Sequence, residues 1–283
     1  MNDYIKSKWK LRIFGPGLDS LSMKPLKHIH VTVDWGMSEN ELYYMTSPHL
    51  ESIEINQRKL AYYKAKSLLN LLNSAYCLYN RYPITTNDQL ILDNQYEKKG
   101  FSEGIVQEKF DEIDEYEALF TPFNLVDSKL IEEKEDTSYL LAEVIDLAYT
   151  DEIVREVLIL FGLSRRNKLY LLINLYKIIE LIEYDNIKHF NTDNLKDAVK
   201  LMPEVLTEAY GNVKKFSGYM NTHSESKYLS RHGPPKSSGR DYKGPRPTID
   251  EVMINTSNLI ITWIHLKIYY KTGRQFKIIH WEP

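Results

Sequence analysis

The chain contains a single cysteine, Cys77, among its 283 residues. One thiol cannot form an intramolecular disulfide or a cysteine-based zinc cluster, so disulfide-stapled scaffolds and cysteine-ligated zinc modules are excluded. Long hydrophobic runs are also missing. The first residues lack the apolar core of a signal peptide, and the most apolar stretch, 259–270, contains His265 and Lys267 and is too short to cross a bilayer. We therefore expect a cytoplasmic protein that is neither secreted nor inserted in a membrane.

An excess of charge of one sign is missing too, because 36 Lys and Arg residues against 39 Asp and Glu residues leave a formal net charge of -3. This disfavours nonspecific nucleic-acid binding by the molecule as a whole, although a local basic patch can still bind phosphate. The sequence also has no Walker-type glycine-rich loop, dinucleotide fingerprint, His-Glu-x-x-His or Gly-x-Ser-x-Gly motif. Nucleotide hydrolysis and triad hydrolysis are therefore disfavoured, and we predict no cofactor.

The N-terminal part has the patterns of a small antiparallel sheet. Residues 9–14 read as a strand that Gly15-Pro16-Gly17 ends. Apolar and polar residues alternate over 28–35, which predicts a half-buried strand. A turn at 36–40 leads into a tyrosine-rich piece at 41–45, which could close a hairpin or meander.

Two histidines, His28 and His30, lie two residues apart on one face of the second predicted strand. Two imidazoles at that spacing could share a metal ion. A third ligand is not apparent in the sequence, so we interpret the pair as part of a solvated strand face and predict no metal site.

Helical patterns follow the sheet. Ser47-Pro48 marks the change, because serine caps helices and proline is favoured in the first turn. A leucine stripe then predicts a helix over about 57–80. The acidic stretch from Asp93 to Glu135 has weak periodicity and is interpreted as short strands and a solvated linker.

The C-terminal half is predicted to be a helical bundle. Thr150-Asp151-Glu152 has the residues of a helix cap, and Gly162 is predicted to end that helix. Further helices are expected over about 192–201 and 203–216. A capping box at 248–251 opens a last helix, which is apolar nearly all round and should place His265 in the core.

These patterns predict an α+β protein in which a small N-terminal antiparallel β-sheet packs with a predominantly α-helical C-terminal bundle. We place a β-rich region with one long helix and an acidic segment at 1–136, and the bundle at 137–283. The bundle contains a basic Gly/Pro-rich loop at 217–247. Residues 275–281, after Gly273, could return as a C-terminal strand to the N-terminal sheet.

The loop at 217–247 holds the candidate site. Its cations lie just before a helix N-terminus, where side chains, backbone amides and the helix dipole could together hold a phosphate or carboxylate. The predicted anion-binding residues are Lys227, Lys236, Arg240, Lys243 and Arg246. His223 and His232 could move protons near neutral pH, and Arg231 could stabilise a phosphorane-like transition state. The alternative is a solvated Gly/Pro/Ser linker.

Long helices with an Arg/His segment before the last one resemble the HEPN-type helical domains of bacterial abortive-infection and toxin systems, many of which are ribonucleases. The motif of that family is an arginine, a polar residue and then a histidine a few positions later. Arg231 and His232 match its beginning, while Pro235, Lys236 and Ser237 stand where the second histidine is expected. Arg166-Asn167 also matches the beginning, but the next histidine is His189. The resemblance covers residues 137–272.

Two functions of different class follow from these observations. The first is a noncatalytic interaction or accessory protein that binds a protein partner, in a bacterial stress or phage-defence system of the kind the resemblance implies. The second is a HEPN-like, metal-independent ribonuclease or RNA-binding domain that binds RNA or another phosphate-bearing ligand at 223–247.

Overall fold

A computed structural model describes residues 8–24, 26–35, 41–80, 82–92, 121–123, 139–166, 170–221, 226, 244 and 246–282. The chain forms two compact units, Met1–Thr150 and Asp151–Pro283. The predicted α+β class is confirmed, because the first unit has an antiparallel sheet and the described part of the second is mostly helical. The boundary between the units lies after residue 150 rather than after residue 136, because helix Leu140–Thr150 belongs to the first unit.

The described strands of the first unit are β1 Trp9–Phe14, β2 His30–Trp35, β3 Glu41–Thr46 and β4 Thr85–Leu92. These four strands form one sheet in the order β2-β3-β1-β4, and all neighbours are antiparallel. The expected pairing of the strand at 28–35 with the tyrosine-rich piece is confirmed, with Val31 opposite Met45. Strand β4 was not predicted.

Strand β1 shows why the sheet has one buried face. Trp9, Leu11 and Ile13 are buried, whereas Lys10 and Arg12 between them are half-buried. Side chains alternate between the two faces of a strand, so an apolar residue at every second position places three large side chains in one core.

The described helices of the first unit are α1 Leu18–Ser22, α2 Pro48–Glu51, α3 Arg58–Asn80 and α4 Leu140–Thr150. The prediction at Ser47-Pro48 is confirmed: the Ser47 hydroxyl accepts a hydrogen bond from the His49 amide, and Pro48 is in the first turn. Helix α3 matches the predicted range and buries most of its leucine stripe, although Leu60 is exposed. Apolar burial, about 25 cal/mol per Å², is the main force that fixes such an amphipathic helix on its unit.

The turn after β1 yields a stability prediction. Gly17 has a left-handed φ of 74°, and a Cβ there would lie 2.5 Å from Oη of Tyr76. That hydroxyl donates a 2.9 Å hydrogen bond to the Pro16 carbonyl, so moving it away breaks this bond. We expect Gly17→Ala to lower the free energy of unfolding by about 2 kcal/mol.

The matched control is Gly211→Ala, because Gly211 lies in a helix and nothing lies within 4 Å of an added Cβ. This change should raise stability by about 0.5–1 kcal/mol, since alanine is the better helix former. Urea-induced unfolding measures both values. Equal effects of the two substitutions would contradict the strain argument.

The described helices of the second unit are α5 Glu152–Arg166, α6 Leu171–His189, α7 Leu195–Leu201, α8 Glu204–Lys214, α9 Ser217–Asn221 and α10 Ile249–Thr272. The predicted end of α5 at Gly162 is wrong, because the helix continues to Arg166. An interior glycine costs a helix only about 1 kcal/mol relative to alanine. Ser164, which follows Gly162 in the helix, is buried, and its hydroxyl donates a hydrogen bond to the Leu160 carbonyl. These contacts accompany the continuation of α5 beyond Gly162.

Helix α10 has the predicted ends. Thr248 and Glu251 form the capping box, and Gly273 ends the helix with a left-handed φ of 72°. The predicted strand at 275–281 is wrong: residues 273–282 form no strand, and the Trp281 backbone instead bonds to the Asn258 side chain of α10. None of the described helices is both long and apolar enough to cross a membrane.

Candidate functional site

Most of the predicted basic site lies outside the described residues. This applies to His223, Lys227, Arg231, His232, Lys236, Arg240 and Lys243. Arg246 is described and is exposed two residues before Thr248, the N-cap of α10. The predicted loop also begins later than residue 217, because 217–221 form α9.

The N-terminus of α10 already has its own hydrogen-bond acceptors. The Glu251 amide donates to the Thr248 hydroxyl at 3.1 Å, and the Thr248 amide donates to a Glu251 carboxylate oxygen at 2.7 Å. Asp250 and Glu251 also place two negative charges in the first turn. These carboxylates satisfy the helix dipole and repel an anion. A phosphate would therefore depend on the basic side chains of the loop, with little help from the helix.

The alternating pattern over 28–35 did not predict which residues contact His28. This residue lies just before β2 and is buried, and its imidazole contacts His49 rather than His30. The Ser47 hydroxyl holds the two histidines close together, because it donates to the His28 carbonyl and accepts from the His49 amide. The interpretation of His28 as part of a solvated strand face is wrong.

The two imidazoles are joined edge to edge. His28 Nδ1 and His49 Nε2 are 3.1 Å apart, the ring centroids are 5.3 Å apart, and the ring planes differ by 22°. The centroid distance exceeds the nitrogen distance by about two ring radii, as in an N–H···N hydrogen bond that lies in both ring planes. Each nitrogen of the pair is therefore used by the other ring.

A carboxylate lies close to the other edge of His28. Oδ1 of Asp146 lies 3.5 Å from His28 Nε2, and its other oxygen lies 3.1 Å from the ammonium of Lys27. Among the described residues, Asp146 Oδ1 has no hydrogen-bond partner, so its contact with His28 is a charge contact and not a hydrogen bond. Hydrogen bonding in this group of polar side chains therefore joins the two imidazoles alone.

Aromatic rings close this histidine cluster. The Tyr149 ring stacks on His28 with centroids 4.1 Å apart, and Phe123 packs edge-on against His28, His49 and Tyr149 at 5.5, 5.0 and 5.1 Å. His28 is 3% exposed and His49 0% exposed. A substrate would have to displace these rings to reach the imidazoles, so the cluster serves the core of the first unit.

The second unit has a charged cluster of its own, here called the Asp185 network. The indole N–H of Trp263 and the ammonium of Lys267 donate to the two carboxylate oxygens of Asp185, at 2.8 and 2.6 Å. Lys267 also pairs with Asp151 at 2.8 Å, and Asp151 caps α5 by accepting from the Ile153 and Val154 amides. The network joins α5, α6 and α10.

One group of aromatic side chains in the second unit faces solvent. Helices α6 and α10 meet at their C-terminal ends, where the His189 and Tyr270 rings stack at 4.8 Å. Phe190 contacts His189 at 4.8 Å, and Tyr269 contacts Tyr270 at 5.9 Å. Tyr269 and Tyr270 are 42% and 47% exposed. We call His189, Phe190, Tyr269 and Tyr270 the aromatic surface.

No protein-family model, no curated protein and no solved structure matches this chain. Within the described ranges, no group of three or more His, Cys, Asp or Glu side chains is arranged to hold a metal ion. The HEPN-like resemblance therefore stays a prediction from the sequence.

Sequence reasoning missed the partners of His28 and the aromatic surface. His49 and Asp146 are far from His28 along the chain, and neither belongs to a motif. The sequence does contain a sign of the exposed tyrosines. Tyr269 and Tyr270 are adjacent near the end of an otherwise apolar helix, where they lie off the face that the helix buries.

Proposed function

We propose that the protein is a noncatalytic interaction or accessory protein that binds an acidic protein partner through the aromatic surface. The exposed, ring-to-ring contact of His189 with Tyr270 carries this proposal. Tyrosine is enriched at protein interfaces, where its ring supplies contact area and its hydroxyl a hydrogen bond. Contiguous exposed rings are a common mark of a binding site.

The charges at this surface favour an acidic partner. Lys188 and Lys271 are exposed in the last turns of α6 and α10. Cations are favoured beside helix C-termini, so the two lysines border the aromatic surface with positive groups that an acidic side chain can contact. The net charge of -3 disfavours nonspecific nucleic-acid binding, and exposed tyrosines are typical of protein interfaces. We therefore propose a protein rather than a nucleic acid as the partner.

Two parts of the proposal rest on the sequence. A cytoplasmic setting is proposed from the single cysteine, because proteins of oxidising compartments commonly use cysteines in pairs. A role in a bacterial stress or phage-defence system follows from the HEPN-like resemblance of residues 137–272. Identifying the partner tests both the proposed setting and the proposed role.

Affinity capture with purified reconstitution tests the interaction. A protein captured by the wild type is identified and purified, and its Kd is measured for wild type, Tyr269→Ala/Tyr270→Ala and Tyr170→Ala. We expect at least a tenfold weaker Kd for the double variant, about 1.4 kcal/mol, because large aromatic anchors dominate interface energies. Tyr170 is a matched control, since it is 53% exposed at the opposite end of α6. Equal losses in both variants, or none, would contradict the assigned surface.

The alternative function is a metal-independent ribonuclease centred on His223, Arg231 and His232. The basic composition of 223–247 supports it. An RNA and single-stranded DNA cleavage assay, run with and without EDTA, compares wild type with His232→Ala. EDTA-resistant cleavage that the variant loses would contradict a noncatalytic protein. The noncatalytic proposal predicts no difference between the two proteins.

A further inference from the structure

The segment 274–282, here called the tail, lies along α10 and forms neither helix nor strand. After the left-handed Gly273 it runs back antiparallel to the helix: Phe276 reaches His265, His280 reaches Thr262 and Trp281 reaches Asn258. From Arg274 to Ile278 half-buried and exposed residues alternate. This alternation is the pattern of an extended peptide with one side against a surface.

Asn258 binds the backbone of the tail at two points. Its side-chain amide donates to the Trp281 carbonyl at 3.0 Å, and its oxygen accepts from the Trp281 amide at 2.7 Å. A carboxamide thus satisfies both main-chain groups of one residue, as a neighbouring strand would. These contacts do not depend on the identity of the bound residue.

Side-chain contacts supply the selectivity. The Trp281 ring packs edge-on against Phe161 with centroids 6.3 Å apart, and the Arg165 guanidinium lies 5.4 Å from its centroid. His280 shares a 3.1 Å hydrogen bond with the Thr262 hydroxyl. The cation and the buried ring favour an aromatic side chain at the position of Trp281.

The side chains of α10 that lie beneath the tail, here called the floor, are polar, although most of this helix is apolar. Asn258, Thr262 and His265 recur at helical spacing on one stripe of it, and Thr262 and His265 are buried under the tail. Every described residue of the tail, by contrast, keeps some solvent exposure. Burial lowers the pKa of His265 below its ordinary value, so this imidazole is neutral at physiological pH. A polar floor tolerates water when its cover leaves, unlike an apolar core face.

We propose that Phe161, Arg165, Asn258, Thr262 and His265 form a peptide-binding groove, and that the tail is an exchangeable ligand bound within the same chain. The external ligand is an extended segment of a partner protein with an aromatic residue at the Trp281 position. This inference rests on the proposed function. It assigns a second contact for the partner, next to the aromatic surface, because the tail begins where α10 ends. Attachment gives the tail an effective concentration in the millimolar range, so a partner segment must outcompete it.

Fluorescence anisotropy with a labelled synthetic peptide of residues 273–282 tests the groove in the full-length protein. Wild type should bind the peptide weakly, because its own tail competes. Trp281→Ala loosens that tail and should bind at least tenfold more tightly. Adding Asn258→Ala should reverse the gain, whereas Asn255→Ala in the same background should not, since the Asn255 amide binds the Glu251 carbonyl of its own helix.

Equal peptide binding by Trp281→Ala with and without Asn258→Ala would overturn the groove, as would no binding by either. Circular dichroism checks folding, and Phe276→Ala is the second tail-loosening variant if Trp281→Ala does not fold. Concentration-dependent dimerisation of wild type that Asn258→Ala abolishes would overturn the partner assignment, because a second copy's tail would then be the ligand. If the protein captures a partner but does not bind the peptide, the groove alone is rejected. If it neither captures a partner nor binds the peptide, the proposed function is rejected as well.

Discussion

Replacing Lys267 by methionine is expected to lower the free energy of unfolding of the second unit by about 3 kcal/mol. Lys267 is the cation shared by Asp185 and Asp151, at 2.6 and 2.8 Å. Methionine keeps most of the apolar stem but removes the charge, so two carboxylates lose their counterion in a site where all three side chains are at most 25% exposed. Breaking one member of such a network leaves the others unpaired.

The loss should be specific to the network. Lys271→Met, one helical turn away on the exposed end of α10, should change stability by less than about 0.5 kcal/mol. In Asp185→Asn/Lys267→Met, one of the two unpaired charges is gone, so the double variant should lose less than the two single changes added together. Urea-induced unfolding, followed by tryptophan fluorescence, measures each value. Similar losses in Lys267→Met and Lys271→Met would contradict the argument.

The Asp185 network also makes the stability of the second unit depend on pH. Burial by itself would raise the pKa of Asp151, but the Lys267 hydrogen bond and charge and the Val154 and Ile153 amides outweigh it and lower the pKa. A lowered pKa in the folded state contributes stability above the unfolded value of about 3.9 and loses it as pH falls further. The difference between wild type and Lys267→Met should therefore shrink below about pH 4. A difference that stays constant from pH 7 to acid would contradict this assignment.

His28→Ala is expected to destabilise the first unit by about 3 kcal/mol. The substitution removes the partner of His49 Nε2 and leaves a cavity beside Tyr149 and Phe123. A buried polar group without a partner and a cavity each contribute. His30→Ala is the matched control, because His30 is two residues away and only half-buried, and it should cost less than about 1 kcal/mol.

Local patterns predicted the elements whose stability comes from their own residues. The alternation at 28–35 and the turn after it predicted the hairpin of β2 and β3. The capping box and Gly273 predicted both ends of α10, because a cap is satisfied by residues a few positions away.

The wrong predictions concern places where distant contacts outweigh local preference. Strand β4 begins with polar residues at 85–88 and contains no clear alternation, so pairing with β1 rather than composition makes it a strand. Residues 275–281 have strand-like composition but bind α10, where Asn258 supplies the hydrogen bonds that a sheet would have supplied.

The amino-acid sequence by itself determined the α+β class, the caps of α2 and α10 and the core position of His265, because these depend on periodicity and on neighbours within one or two turns. Only the tertiary structure brought His28 to His49 and Asp146, joined Lys267 to two carboxylates, placed the tail on α10 and stacked His189 on Tyr270. Such contacts join residues that are far apart in the chain. Their partners are chosen by the packing of whole elements, and that choice leaves no repeating pattern in the sequence.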